Sequence, residues 1–162
     1  MASAMGMLGE GASGSPGGAK EQSHRENPMG HTYTRLLTHI VFSTKGRYPF
    51  ITEELGLRLY AYMGGIVREF GGTALRINGM RDHVHVLAAI PATSSVADLL
   101  RTVKANSSGW IHITFPNLQK FAWQSGYPAF SVTPDQSEAV EAYIAGQADH
   151  HRKVSYQDEV RA

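Results

Sequence analysis

Strand-like and helix-like patterns of apolar residues alternate along this chain, and their order constrains its fold more than any other feature. Alternating or β-branched apolar segments, typical of strands, lie at 36–45, 73–79, 82–90 and 121–133. The last of them is predicted to be a strand or a hairpin, bent near Gly126 and Pro128. Segments with apolar residues three and four apart, typical of helices, lie at 52–72, 95–111 and 133–153. The order β-α-β-β-α-β-α predicts an α+β domain. We expect a ferredoxin-like (RRM-like) split β-α-β sandwich with a four-stranded antiparallel sheet, two helices on one face and an added C-terminal helix.

Residues suited to helix starts lie at the boundaries of the helical segments. Thr52 and Ser95 each precede an apolar stripe, where a hydroxyl can accept a hydrogen bond from the first helical turn. Thr133 and Pro134 precede the last stripe, and proline suits the first helical position. The sequence therefore predicts that each helix begins at its hydroxyl residue.

The first 30 residues differ in composition from the rest of the chain. They are rich in Gly, Ser and Ala and show neither periodicity, which predicts a disordered leader over 1–30 and a single domain over 31–162. Met29 is a candidate for the natural start, and on that hypothesis the preceding residues are dispensable.

Composition excludes several classes of protein. The chain has no cysteine, which excludes disulfides and thiolate zinc sites and fits a reducing cytoplasm. It has no apolar run of the roughly 20 residues that a membrane helix needs, and no signal-peptide pattern. We therefore expect no membrane partner. The 15 Lys and Arg nearly balance the 14 Asp and Glu, so any nucleic-acid binding must use locally clustered charge.

Two histidines stand one residue apart in the predicted strand 82–90, "DHVHVLAAI". Side chains on a strand alternate between faces, so Val84 and Val86 should face the helices, and His83 and His85 the opposite face, which this topology leaves open. Imidazoles at i and i+2 on one face can both reach a single metal ion. The alternative is that both are half-exposed surface residues, which is common for strand histidines.

The last predicted helix carries Tyr143 and Gln147 four residues apart and therefore on one face. Tyr143 could simply pack beside Val140 and Ile144 as part of the apolar stripe. Gln147 is unusual on that stripe, because a buried amide needs partners. A metal ion would provide one for its carbonyl oxygen.

Two imidazoles and an amide oxygen with open positions would favour Mg²⁺ or Mn²⁺. Such a site is suited to polarising a phosphate. A tyrosine hydroxyl, with an ordinary pKa near 10, needs such help to attack a phosphodiester. Attack would yield a phosphotyrosine and a 3′-OH, and rejoining would need no ATP because the bond energy is retained.

Five stretches, taken in order, resemble the single-tyrosine HUH transposases, small bacterial enzymes that move insertion sequences as single-stranded DNA. They are "HIVFSTKGRYPF", "INGMRDHVHVL", "VKANSSGWI", "AWQSGYPAFSV" and "YIAGQADHHRK", and the likeness covers about residues 31–158. Two positions depart from the family: Gly109 stands where lysine is expected, and Pro128 where glycine is expected. Neither departure removes a catalytic group.

The resemblance implies a role for each of four residues. His83, His85 and Gln147 look like ligands of a divalent metal, Mg²⁺ or Mn²⁺, and Tyr143 looks like the nucleophile. It also implies cleavage and rejoining of single-stranded DNA at hairpins, through a 5′-phosphotyrosine. The family works as a homodimer in which the tyrosine helix of one subunit can complete the metal site of the other. The implied location is the bacterial cytoplasm, at the nucleoid when the enzyme acts.

Basic residues near the ends of the predicted elements are candidates for phosphate contacts, although each could equally be an ordinary solvated charge. They are Lys45, Arg47, Arg81, Lys104, Arg152 and Lys153. Aromatic residues that could stack on bases or pack internally are Tyr48, Phe50, Trp123 and Tyr127. Three histidines are minor candidates: His39 for support of the site, and His150 and His151 for DNA contact or a helix C-terminus.

Two alternative functions use the same fold. One is a domesticated HUH nuclease that acts on repeated hairpins with the same chemistry. The other is a non-catalytic RRM-like nucleic-acid-binding module, which should carry aromatic residues on its open sheet face. His83 and His85 at that face count against the binding module.

Overall fold

The structure, a computed structural model, describes residues 33–147. Its elements follow the predicted order: β1 Leu36–Ser43, α1 Glu53–Glu69, β2 Thr73–Gly79, β3 His83–Ile90, α2 Val96–Thr114, β4 Ala129–Val132 and α3 Ser137–Ala145. The strands form one four-stranded sheet in the order β2-β3-β1-β4, and every neighbouring pair is antiparallel. This confirms the predicted ferredoxin-like sandwich with an added C-terminal helix.

The first two predicted helix starts are confirmed. The Thr52 hydroxyl accepts a hydrogen bond from the Leu55 amide at 3.2 Å, and the Ser95 hydroxyl accepts one from the Asp98 amide at 3.0 Å. The third predicted start is wrong. Pro134–Gln136 forms a 3₁₀ turn, in which the Gln136 amide donates to the Thr133 carbonyl at 3.0 Å, so α3 begins only at Ser137.

The fourth strand is much shorter than the predicted segment 121–133. Gly126 has a φ of +76° and Pro128 has no amide proton to donate, so the chain joins the ladder only at Ala129. Trp123 makes an isolated bridge to Thr44, and its ring packs on Phe42 at 4.8 Å. The predicted bend near Gly126 and Pro128 is therefore present, but the residues before it pack against the core instead of extending the strand.

The main core lies between the sheet and helices α1 and α2. On β3, the residues that alternate with the histidines face this core, as predicted: Val84, Val86, Ala88 and Ile90. Leu59, Met63 and Val67 of α1 and Leu99, Leu100 and Val103 of α2 complete its centre. Burial of this apolar surface is the main force that holds the helical layer on the sheet.

The opposite face of the sheet is not open, contrary to the prediction. Ile144 of α3 packs on Leu37, Leu87 and Val132, which share the histidine face of their strands, and forms a second, smaller core. As a result His83 and His85 are only 1% and 0% exposed, and the alternative of half-exposed surface histidines is also wrong. The apolar stripe of α3 needs an apolar partner, and Leu87 supplies it two residues beyond His85.

Several predictions concern residues outside 33–147, the part that the structure describes. These are the leader, the extension of the last helix to residue 153, and the roles of His150, His151, Arg152 and Lys153. Between residues 33 and 147 no helix is both long and apolar enough to cross a membrane.

Candidate active site

Strand β3 holds the two histidines through its register with both neighbouring strands. His83 lies opposite Ser43, while His85 lies opposite Val41 on one side and Asn78 on the other. The tight β2–β3 turn begins at Gly79, where an added Cβ would overlap the carbonyl oxygen of His83. Glycine at this position therefore allows the backbone of β2 to pass close to His83.

Asp82 orients the ring of His83. One carboxylate oxygen lies 2.8 Å from His83 Nδ1, and the other accepts hydrogen bonds from Arg47 Nη2 at 2.7 Å and Arg47 Nε at 3.0 Å. Burial by itself would raise the pKa of Asp82, but the hydrogen bonds and charges of His83 and Arg47 outweigh it and lower the pKa to about 2. Asp82 is therefore a carboxylate at neutral pH, with each oxygen committed to a different partner.

His39 of β1 contacts the second imidazole in a similar way. Its Nε2 lies 3.0 Å from His85 Nδ1, and the two rings stack with centroids 5.3 Å apart. Burial lowers the pKa of His39 to about 4, so this ring is neutral at neutral pH. A neutral imidazole has one donor and one acceptor nitrogen, so the tautomer of His39 and that of His85 are linked through this bond.

Helix α3 brings Tyr143 to the histidines of its own chain. The phenol ring meets His85 edge-on with centroids 6.0 Å apart, and meets His39 in the same way at 6.1 Å. Tyr143 also packs at the edge of the second core, beside Val140. Tyr143 therefore belongs to the apolar stripe and also contacts His85 and His39, while its role as nucleophile stays a prediction.

Asn78 anchors the C-terminal end of α3 to the sheet. Its side-chain amide donates to the carbonyls of Ile144 at 2.9 Å and Ala145 at 3.2 Å. Because Asn78 is the cross-strand neighbour of His85, this anchor sets the end of α3 directly over the histidines. Carbonyls at a helix C-terminus have no partner within the helix, so a side-chain donor there is stabilising.

Gln147 lies just beyond that anchor and is completely buried. Its amide nitrogen makes a long contact of 3.5 Å to the Tyr143 carbonyl, while its Oε1 has no hydrogen-bond partner among the described residues. The Nε2 atoms of His83 and His85 are also buried. A buried amide oxygen that needs a partner, next to the helix that contacts paired imidazoles, fits a mixed nitrogen and oxygen site for a divalent cation. Within residues 33–147, no three His, Cys, Asp or Glu side chains form a group that could hold a metal ion.

Sequence reasoning did not assign roles to Asp82 or Asn78. A carboxylate directly before a paired-histidine strand is a usable signal, because buried imidazoles need an acceptor for the second ring nitrogen. Asn78 gave a weaker signal. It is a polar residue near the end of a strand, and only the register places it opposite His85.

The family model described as "Transposase IS200 like" matches residues 32–147. The chain belongs to this family of single-tyrosine HUH transposases. Over 125 residues it is 22% identical to the ISDra2 transposase TnpA of Deinococcus radiodurans, a match that spans 74% of this chain and 89% of that protein. The transposase is therefore a member of a group of DNA-cleaving and strand-transferring enzymes.

Two solved structures share the fold of the transposase. One, described as a transposase from Deinococcus radiodurans R1, has a TM-score of 0.60 at 23% identity and covers 73% of this chain and 94% of that one. The other, a REP-associated tyrosine transposase bound to a REP hairpin, has a TM-score of 0.57 at 13% identity, with coverage of 76% and 73%.

The basic candidates of the transposase fall into two groups. Lys45 and Arg81 are exposed at the end of the sheet near Asp82, where they can meet a polyanion. Arg47 is engaged with Asp82, as described above. Lys104 donates to the carbonyls of Gln124 at 2.9 Å and Gly126 at 2.8 Å, and burial lowers its pKa. Lys104 therefore fixes the loop before β4.

The aromatic candidates divide in the same way. Trp123 donates to the Ser107 hydroxyl at 2.9 Å and packs in the main core, and Phe50 packs on Phe121 at 5.5 Å. Tyr48 is 61% exposed and Tyr127 is 37% exposed. Only the two tyrosines of this set present enough surface for a base to stack on.

Proposed function

We propose that this transposase cleaves and rejoins single-stranded DNA at hairpin-bearing element ends through a covalent 5′-phosphotyrosine, with Tyr143 as the nucleophile. The observation that carries the proposal is the contact of the Tyr143 ring with His85, whose ring centroid lies 5.1 Å from that of His83. His83, His85 and Gln147 are all buried, which supports a shared role. The relative that is bound to a REP hairpin shares the fold and supports hairpin DNA as the substrate class.

The chemistry balances with the groups of the chain. The Tyr143 oxygen bonds to phosphorus while the bond from phosphorus to the 3′ oxygen breaks; the phenol loses its proton, and the departing 3′ oxygen takes one up to become a 3′-OH. In the reverse reaction, the 3′-OH of another strand attacks the same phosphorus, and the phenol is regenerated. Bond count and charge are unchanged over the cycle, so neither ATP nor an oxidant is needed.

Residues around Tyr143 hold its ring for this reaction. His39 and His85 meet it edge-on, and the Asn78 anchor keeps α3 from turning away. In the proposed site His83, His85 and Gln147 would hold a divalent cation, Mg²⁺ or Mn²⁺. When bound, such a cation would polarise the scissile phosphate and offset the charge that develops on it. Exposed Lys45 and Arg81, with Arg152 and Lys153, would contact the DNA backbone.

A denaturing-gel assay tests the nucleophile. Protein and Mg²⁺ are incubated with a labelled single-stranded hairpin, and we expect a covalent adduct that survives denaturation. Tyr143→Phe should abolish the adduct while DNA binding persists. Tyr62→Phe is the matched control, because that ring packs on Trp110 at 4.7 Å in the helical layer. An adduct that persists in Tyr143→Phe would place the nucleophile elsewhere.

A homodimer is the proposed assembly, and the contact of Tyr143 with His85 of its own chain supports a site completed within one subunit. Mixed dimers separate the two arrangements. Tyr143→Phe subunits mixed with His85→Ala subunits should remain inactive if each site uses its own tyrosine. Recovery of adduct in the mixture would show that tyrosine and histidines come from different subunits.

The alternative of a non-catalytic binding module requires aromatic residues on an accessible sheet face. In this structure α3 covers that face, and buried histidines lie beneath it. The proposed transposase activity therefore gives the buried histidines a role, whereas a binding module would give them none.

A further inference from the structure

Arg47 has a backbone conformation that is unfavourable for any residue with a Cβ. Its φ is +57°, and among the described residues it is the sole non-glycine with positive φ. It follows Gly46, with a φ of +63°, in the 3₁₀ turn Lys45–Arg47. Strain of this kind persists where surrounding contacts over-determine it, and it is common at functional sites.

Two residues of the 44–47 segment, Thr44 and Arg47, bind Asp82. The buried Thr44 donates from its amide to the Asp82 carbonyl at 2.8 Å, and its hydroxyl lies 3.1 Å from the same oxygen. The guanidinium of Arg47 then reaches the carboxylate of Asp82 through two nitrogens. Backbone and side chain of Asp82 are thus both fixed by the 44–47 segment.

The two carboxylate oxygens of Asp82 have different partners, and this determines which nitrogen of a neutral His83 carries the proton. Arg47 donates two hydrogen bonds to one oxygen, so the carboxylate cannot rotate without losing them. The other oxygen faces His83 Nδ1 at 2.8 Å and can only accept a hydrogen bond. A neutral His83 therefore carries its proton on Nδ1, which makes Nε2 the nitrogen with a lone pair.

We propose that Arg47 is a positioning residue of the metal site, which fixes Asp82 and, through it, the tautomer and orientation of His83. The inference rests on the metal role of His83 in the proposed function. It gives Arg47 a task other than the phosphate contact expected from the sequence. Carboxylates that orient ligand imidazoles in this way typically contribute about 10- to 100-fold in metal affinity.

Arg47→Gly tests the inference, because glycine adopts positive φ without strain and the fold should be retained or stabilised. Arg101→Ala is the matched control, since it removes an exposed arginine that pairs with a different carboxylate, Asp98, at 2.7 Å. Two readouts use DNA-free protein: Mn²⁺ affinity by electron paramagnetic resonance, and the His83 tautomer by ¹⁵N NMR of the metal-free, neutral imidazole.

We expect Arg47→Gly to lower Mn²⁺ affinity about three- to tenfold, less than a direct ligand partner would, and to give a mixture of His83 tautomers. Arg101→Ala should change neither. Unchanged affinity and an unchanged tautomer in Arg47→Gly would overturn the inference. If that variant fails to fold, Arg47→Gln provides the same two readouts with the side-chain fork removed. Absence of Mn²⁺ binding by the wild-type protein would instead contradict the proposed function, and the tautomer would still decide the role of Arg47.

Discussion

Replacement of Asn78 by alanine should loosen α3 while leaving the sandwich folded. The helix has nine residues, too few to be stable alone, so its position depends on packing and on its C-terminal anchor. The substitution removes the hydrogen bonds to Ile144 and Ala145. At about 1 kcal/mol net for each bond, docking of α3 should weaken by about 2 kcal/mol, which is roughly a 30-fold change in the docking equilibrium.

Native-state hydrogen exchange measures this change directly, because it reports local opening free energies for each segment. Amides of α3 should exchange roughly 30-fold faster in Asn78→Ala, while those of β1 and β3 keep their protection. Asn106→Ala is the matched control, since that side chain is exposed on α2. Unchanged exchange in α3, or an equal loss of protection across the whole sheet, would refute the role of Asn78 as a local anchor.

Three further predictions follow from the packing and charges. Gly79→Ala should lower the free energy of unfolding by about 3 kcal/mol or more in urea titrations, because its Cβ overlaps backbone, whereas Gly64→Ala in α1 has open space and should raise it by up to about 1 kcal/mol. Burial raises the pKa of Tyr60 to about 12, so the folded state keeps a proton that the unfolded state loses above about 10, and stability should fall with rising pH in that range. Tyr60→Phe should remove this part of the alkaline decline, and an identical decline in the variant would contradict it. Lys45→Ala and Arg81→Ala should each weaken single-stranded DNA binding and reduce its salt dependence by about one counterion, whereas an unchanged salt slope would exclude a phosphate contact.

The sequence predicted the fold well where local periodicity decides it. The strand and helix order and the alternation on β3 follow from spacing alone, and the pairing β2-β3-β1-β4 follows from the topology of that order. Thr133 was misassigned, because proline at the following position suits a 3₁₀ turn as well as an α-helix. The length of β4 depended on the Gly126 conformation and on the attraction of Trp123 to the core, which are tertiary effects.

The candidate site was predictable only in part, for a similar reason. Alternation places His83 and His85 on one face, and helical spacing places Tyr143 and Gln147 on another. No local pattern says that Ile144 would seat α3 on Leu87 and so bury the histidines. The contacts of Arg47 with Asp82 and of Asn78 with α3 join residues 35 or more positions apart, so they depend on how distant segments pack together.

The different composition of the two faces of β3 limits which sequence changes this strand can accept. Odd-numbered positions of the strand supply imidazoles, and even-numbered positions supply the apolar groups that hold α1 and α2. A one-residue insertion or deletion between Gly79 and His83 would exchange the two sets, burying polar rings among aliphatic chains. The histidines of the proposed site and the apolar residues that hold α1 and α2 thus alternate along one strand, so substitution is possible within either set, whereas a shift of register would disrupt both.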